Sequence, residues 1–279
     1  MTNIYEIGPN GLTPVAAEVL RLLTFAGGEP HVNVHDPAAI AGRRFVIEAN
    51  IGSFNTLGEA LVVNDALRRS GAASVVFFCP YLPGARQDRG TPLTARVYAD
   101  IINGAKFDRV VCVDPHSPVM PALLDRVVII DAADAIEPSM LSGDNVVLIC
   151  PDAGATKRTE SVAERFGCAV AYARKHRNLQ TGALSGFACD PIPDGAVAVV
   201  VDDICDGGGT FLGLAAATGL PRERLRLWTT HGIYSKGLEA LRAHYSFIGC
   251  TDAFPSKHRP DLCRPLLKLA TPYLTGIAQ

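Results

Sequence analysis

A chain of 279 residues, 48% of them hydrophobic, is long enough for one large or two ordinary domains with packed cores. Its 26 basic and 28 acidic residues give a formal charge of −2 without a dense basic run, so nucleic acid is not an expected partner and charged ligands must be met by local clusters. Eight cysteines are scattered without C-x-x-C spacing, several inside apolar runs, and read as small core residues of a protein kept in a reducing cytoplasm. No run approaches the length of a membrane span and the N-terminus lacks a basic segment followed by an apolar one, so neither membrane insertion nor secretion is expected.

Taken in chain order, β-branched runs without polar alternation predict strands buried on both faces at 44–49, 74–79, 109–113, 145–150, 169–173 and 196–202. Helical patterns fall between several of them, at 56–70, 94–103, 155–166 and 211–218, the first with Leu57, Leu61, Ala66 and Leu67 near helical spacing. This alternation predicts an α/β fold with mainly parallel, doubly wound sheets. A second set of units begins after a stretch carrying Pro138, Ser139 and Gly143, which places a boundary near 140 and predicts domains over 1–140 and 141–279.

Polar chemistry gathers where these strands end. The stretch V-V-V-D-D-I-C-D-G-G-G-T (199–210) runs from a strand through Asp202, Asp203 and Asp206 into Gly207, Gly208, Gly209 and Thr210, then into a small-residue helix. Backbone N–H groups in such a turn face an anion, and two adjacent carboxylates at a buried strand end are costly without partners, so a phosphorylated polyol is the expected ligand. In P-D-A-G-A-T-K-R (151–158), Asp152 follows another strand and two cations enter a helix. Lys157 and Arg158 there oppose the macrodipole, which a bound anion would compensate; a solvated helix start is the competing reading for Arg158.

Three further stretches carry charge. His116 in V-D-P-H-S-P stands two residues after Asp114 at a strand end, which suits a metal or phosphate as well as a structural role. Y-L-P-G-A-R-Q-D-R-G (81–90) offers Arg86, Gln87 and Asp88 to a polyphosphate or purine, or is an ordinary charged loop. A-R-K-H-R-N (173–178) precedes a long glycine-containing connection to Pro193 and reads as a basic flap or as a solvated loop.

Together these stretches resemble the ribose-phosphate pyrophosphokinases. The resemblance is ordered and nearly chain-long: F-A-G-G-E (25–29), P-Y-L-P-G-A-R-Q-D (80–88), V-D-P-H (113–116), P-D-A-G-A-T-K-R, K-H-R (175–177), V-D-D-I-C-D-G-G-G-T and T-H-G-I-Y-S (230–235). It implies two phosphoribosyltransferase-like domains and Mg²⁺-dependent transfer of the β,γ-diphosphoryl group of ATP to the anomeric hydroxyl of ribose 5-phosphate, releasing AMP. By that resemblance Asp202, Asp203, Asp206 and the Gly207–Thr210 loop hold the sugar phosphate, and Arg86, Gln87, Asp88 and His116 the ATP. His116 and Asp152 serve Mg²⁺, Lys175 and Arg177 are the flap cations that stabilise the transferring group, and Phe25 and Glu29 reach the adenine of a neighbouring subunit in a homo-oligomer.

The sequence also departs from that pattern. Gly207 stands where the family usually has a threonine, which removes a hydroxyl and a side chain from the phosphate pocket. The R-G-T segment after Asp88 is short, Gly27 replaces a usual polar residue, and Ala155 a usual glycine. A 5′-extended acceptor such as ADP-ribose, feeding NAD synthesis, therefore ranks just below free ribose 5-phosphate. A phosphoribosyltransferase would not need the R-Q-D and K-H-R stretches, and a non-catalytic regulatory paralogue would be expected to lose the flap or the acidic loop, which this chain keeps.

Overall fold

The computed structural model describes residues 2–177 and 184–276. The chain divides into two compact units, Met1–Ile130 with Ala253–Pro255 and Leu266–Gln279, and Asp131–Asp252 with Ser256–Pro265.

The first unit contains β1 (Thr2–Gly8), β2 (Gly11–Pro14), β3 (Leu20–Thr24), β4 (Pro30–Val34), β5 (Arg44–Ala49), α1 (Phe54–Arg69), β6 (Ser74–Phe78), α2 (Thr94–Gly104), β7 (Arg109–Val113), α3 (Val119–Leu123) and β8 (Val127–Ile130). Its main sheet has the order β2-β1-β5-β6-β7-β8, parallel from β5 to β8 and antiparallel at the β1 edge, while β3 and β4 form a separate hairpin. Helix α1 begins at Ser53, whose hydroxyl accepts the Thr56 N–H at 3.4 Å. It buries Leu57, Ala60, Val63 and Leu67, a stripe that closes one face of the core containing Phe45, Ile47, Phe77 and Ile102.

The second unit contains α4 (Ala132–Ala135), β9 (Val146–Cys150), α5 (Thr156–Phe166), β10 (Ala169–Arg177), β11 (Leu184–Cys189), β12 (Val197–Cys205), α6 (Gly209–Thr218), β13 (Leu225–Gly232), α7 (Glu239–Arg242), β14 (Phe247–Thr251) and β15 (Leu262–Arg264). Seven strands run in the order β11-β10-β9-β12-β13-β14-β15, and every pairing is parallel except β10 with β11. Val200 and Leu227 face a core that includes Leu214, Leu241 and Tyr245, whereas Val199, Val201 and Trp228 face one with Met140 and Val162. Burial on both faces is why these strands read as unbroken apolar runs.

Two sequence expectations are corrected. A domain over 141–279 is predicted, but the last helix, α8 (Leu267–Thr275), belongs to the first unit, where the Arg109 guanidinium donates to the Tyr273 carbonyl at 2.7 Å. Chain order does not specify which core an apolar terminal helix joins. The strand predicted over 169–173 continues to Arg177, and the connection predicted toward Pro193 includes β11, so a ladder runs from Ala173↔Cys189 to Arg177↔Leu184. The polar composition of A-R-K-H-R-N hides this strand, because only backbone pairing with β11 makes it one.

The hairpin is seated on α6. A Cβ at Gly213 would lie 2.2 Å from the Phe187 ring of β11, so only glycine allows this approach. Gly213→Ala is expected to destabilise the second unit by about 1–3 kcal/mol, as read from urea midpoints.

Candidate active site

In the first unit the loops after β6 and β7 leave neighbouring parallel strands, and Val113 N–H donates to the Pro80 carbonyl at 3.1 Å. Gly84, at φ +75°, turns the first loop back on itself; a Cβ there would meet Tyr98 at 2.6 Å. Arg86 and Gln87 are exposed, and the Gln87 side chain accepts a hydrogen bond from the Thr94 hydroxyl at the start of α2. Asp88 is anchored: a hydrogen bond with the Ser117 hydroxyl, aided by nearby Arg89, holds its carboxyl below the usual range despite partial burial. That bond joins the Arg86–Asp88 loop to the loop carrying His116, which is exposed, so the four residues expected at ATP share one rim. Phe25 and Glu29 lie elsewhere, at the exposed tip of the β3–β4 hairpin, where the Phe25 ring packs at 4.8 Å on His31.

In the second unit Asp152 follows β9 and accepts the Gly154 N–H at 2.9 Å. Ala155 has a φ of −88°, a right-handed value that costs alanine nothing. Asp152 lines a cavity of about 500 Å³ together with Cys150, Thr156, Tyr172 and Arg174. Arg174 bonds Asp190 at 3.1 Å, and Asp190 also accepts the Tyr172 N–H, which clamps the base of the β10–β11 hairpin. Lys175 and Arg177 occupy the end of β10, and their side chains lie outside the described part of the structure.

The next strand carries the acids. Asp202 and Asp203 follow the continuously buried run of β12, and Asp203 N–H donates to the Asp202 carboxylate at 2.9 Å. Arg158 of α5 reaches them both, at 3.6 Å and 3.7 Å, with its own side chain only 9% exposed. It is therefore neither a solvated helix start nor a ready anion ligand; it neutralises the acid pair. Burial first, and the Asp203 charge second, push the Asp202 carboxyl well above its ordinary value, with Arg158 opposing the shift. One cation shared by two buried carboxylates leaves a receptor for hydroxyl donors or a further positive charge.

Beyond the acids the chain bends through Asp206 and Gly207 into α6. Gly208 is the N-cap at φ +77°, in the left-handed region, and Gly209 and Thr210 open the helix, so their N–H groups belong to an unsatisfied helix start. The loop after β13 braces this turn: Ile233 and Tyr234 donate to the Cys205 carbonyl at 2.9 Å and 3.0 Å, and Ser235 to that of Asp206 at 3.1 Å. The roles of Ser117, Arg158 and this brace are not legible in sequence, because each acts across elements far apart in the chain. An arginine entering a helix opposite two paired acids was the one available signal.

All eight cysteines are free, and burial pushes Cys112 and Cys205 up to about 12. No helix among the described residues is long and apolar enough to cross a membrane.

Comparison with known proteins agrees with this arrangement. Residues 14–105 match the model of the N-terminal domain of ribose phosphate pyrophosphokinase, and residues 123–217 that of the phosphoribosyl transferase domain. The chain is 32% identical to the ribose-phosphate pyrophosphokinase of Aquifex aeolicus over 77% of its own length and 71% of that protein. It is also 32% identical to that of Corynebacterium efficiens, over 90% and 78% of the two chains. The crystal structure of phosphoribosylpyrophosphate synthetase from Mycobacterium smegmatis shares the fold, with a TM-score of 0.76 at 23% identity over 92% of this chain and 89% of that one. Paired α/β units with largely parallel sheets, both family models and these identities lead to one conclusion: the chain belongs to the ribose-phosphate pyrophosphokinase family of diphosphokinase enzymes.

Proposed function

We propose that the protein transfers the β,γ-diphosphoryl group of ATP to the anomeric hydroxyl of a ribose 5-phosphate group, giving phosphoribosyl pyrophosphate and AMP. The observation that carries this reading is the Asp202–Asp203 pair, held by Arg158, at the mouth of the Gly207–Thr210 turn. The carboxylates accept from ribose hydroxyls while the turn's N–H groups and Thr210 take the 5′-phosphate, which fixes the sugar at both ends. In the reaction the C1 oxygen forms a bond to the β-phosphorus and loses its proton to water. The bond from that phosphorus to the α,β-bridging oxygen breaks, and AMP leaves with the electron pair.

No covalent intermediate is needed, so the protein's work is positioning and charge neutralisation. Arg86, Gln87 and Asp88 bind ATP with His116, and Lys175 with Arg177 stabilises the charge on the transferring group. Phe25 and Glu29, on their projecting hairpin, suit contact with adenine in a neighbouring copy, which makes the working form a homo-oligomer. A cytoplasmic site of action goes with this chemistry, since ATP is its donor.

Magnesium fits these residues. The carboxylate of Asp152, a hard oxygen donor, suits Mg²⁺, an ion that would take the rest of its shell from substrate phosphates and water. Asp152 and His116 are the residues that the family resemblance assigns to Mg²⁺. When bound, it supplies charge neutralisation on the polyphosphate.

One observation favours a second acceptor, a 5′-extended ribose such as ADP-ribose: Gly207 puts no side chain of its own on the phosphate turn, where the Lys236 stem lies beside it. Both readings are tested by chromatography of AMP released from ATP and Mg²⁺ with ribose 5-phosphate and ADP-ribose in parallel. AMP that appears with ribose 5-phosphate supports the main reading; none with either acceptor overturns it.

A further inference from the structure

The structure assigns Lys236 as the residue that reads what is attached to the acceptor's 5′-phosphate, so that a ribose 5-diphosphate ester is taken beside the simple monophosphate. This inference rests on the proposed function and names a substrate class for the same site.

It begins with a glycine that the backbone does not demand. Gly208 needs its φ of +77°, but Gly207 lies outside the left-handed region, and a Cβ there would meet only ordinary contacts. Those contacts are all with one side chain: Cε, Cδ and Cγ of Lys236 lie 3.5 Å, 3.6 Å and 3.9 Å away. The lysine stem thus covers the place that a larger side chain would fill, and Lys236 is exposed beside the phosphate turn.

The lysine is held at that place by the fold. Its loop is tied to the turn by the Ile233, Tyr234 and Ser235 N–H bonds to Cys205 and Asp206, and Gly237 N–H closes it onto the Tyr234 carbonyl at 2.9 Å. Tyr234 is fully buried, its ring packed so closely on Gly232 that a Cβ there would lie 2.3 Å away. The backbone under Lys236 cannot drift without breaking this brace.

Strand order supplies the direction. Along the sheet, β10 with Lys175 and β9 with Asp152 lie on one side of β12, and β13 with the Lys236 loop lies on the other. A ribose whose C1 faces the flap side and whose 5′-phosphate sits in the β12 turn points its 5′ substituent toward β13. The amides and Thr210 can satisfy the first phosphoryl group, and a flexible ammonium just beyond them matches the charge of a second.

The test compares kcat/KM for ADP-ribose with that for ribose 5-phosphate, in the wild type and in Lys236→Ala, Lys236→Arg and Gly207→Thr. Loss of one charge-assisted contact at an exposed rim should lower the ADP-ribose to ribose 5-phosphate ratio about tenfold in Lys236→Ala, with most of the change in KM. Lys236→Arg should keep the ratio within about threefold by retaining the charge, and Gly207→Thr should lower it by displacing the stem. A ratio unchanged in Lys236→Ala, an equal fall in Lys236→Arg, or no wild-type turnover of ADP-ribose overturns the inference. If AMP still forms with ribose 5-phosphate in those cases, the proposed function stands; no AMP with either acceptor would fall on that function itself.

Discussion

Lys175→Ala is expected to lower kcat by about two to three orders of magnitude while the melting temperature stays within about 1 °C of the wild type. In diphosphoryl transfer the charge on the non-bridging oxygens must be met at the moment of reaction, and a cation placed in advance provides this without reorganisation. Lys175 stands opposite Phe187 in the β10–β11 ladder, beyond the part of β10 that pairs with β9. Its backbone is therefore carried by the hairpin rather than by the core, so truncation should leave folding almost untouched. ATP affinity should change much less than turnover if, as proposed, Lys175 acts chiefly on the transferring group. Unchanged kcat, measured as AMP release under saturating substrates, would place the transition-state charge elsewhere.

Asp202→Asn should raise the acceptor KM about a hundredfold and at the same time raise thermal stability. A charged acceptor of hydroxyl hydrogen bonds is worth roughly 1.5–3 kcal/mol per bond, and the amide cannot replace it. The stability gain has the opposite origin. The folded Asp202 carboxyl is raised by burial and by the Asp203 charge, so its ionised form is disfavoured relative to the unfolded chain. The cost is fully present above the raised value and is relieved as pH falls through it toward the unfolded pKa of about 3.9. The neutral isostere removes this cost at every pH, and a gain of about 1 kcal/mol, or 2–4 °C, is expected.

Arg158→Ala should do the reverse, costing about 3–5 kcal/mol, because both carboxylates would lose the cation they share. For the wild type, acceptor affinity should fall as pH drops through the raised Asp202 value, since the protonated acid no longer accepts from both hydroxyls. A melting temperature lowered in Asp202→Asn, or an acceptor KM independent of pH, would contradict this account of the pair.

Several of the central strands and helices were legible because their cause is local, although the buried strands β13 and β14 were not singled out. Runs such as 44–49 and 109–113 are apolar on both faces, and 54–69 repeats at helical spacing, so each element records its own burial. The outlying antiparallel strands were not: β1, β2, β3 and β11 are amphipathic or polar and become strands only by pairing with a neighbour. For the same reason the polar residues after Ala173 look like a loop until Cys189, Ala188 and Phe187 are set against them.

By itself the sequence determined the α/β class and the strand, turn and helix over Asp202–Thr210, since strand ends and glycine turns are written in adjacent residues, while the grouping of Arg86–Asp88 with His116 came from the family resemblance. Only the tertiary structure decided that Arg158 neutralises the acids, that Ser117 anchors Asp88, that α8 returns to the first unit and that Lys236 covers Gly207. Each of these is a contact between groups distant in sequence, so it depends on strand order and loop bracing, which are set when the whole sheet assembles and leave no periodic trace along the chain.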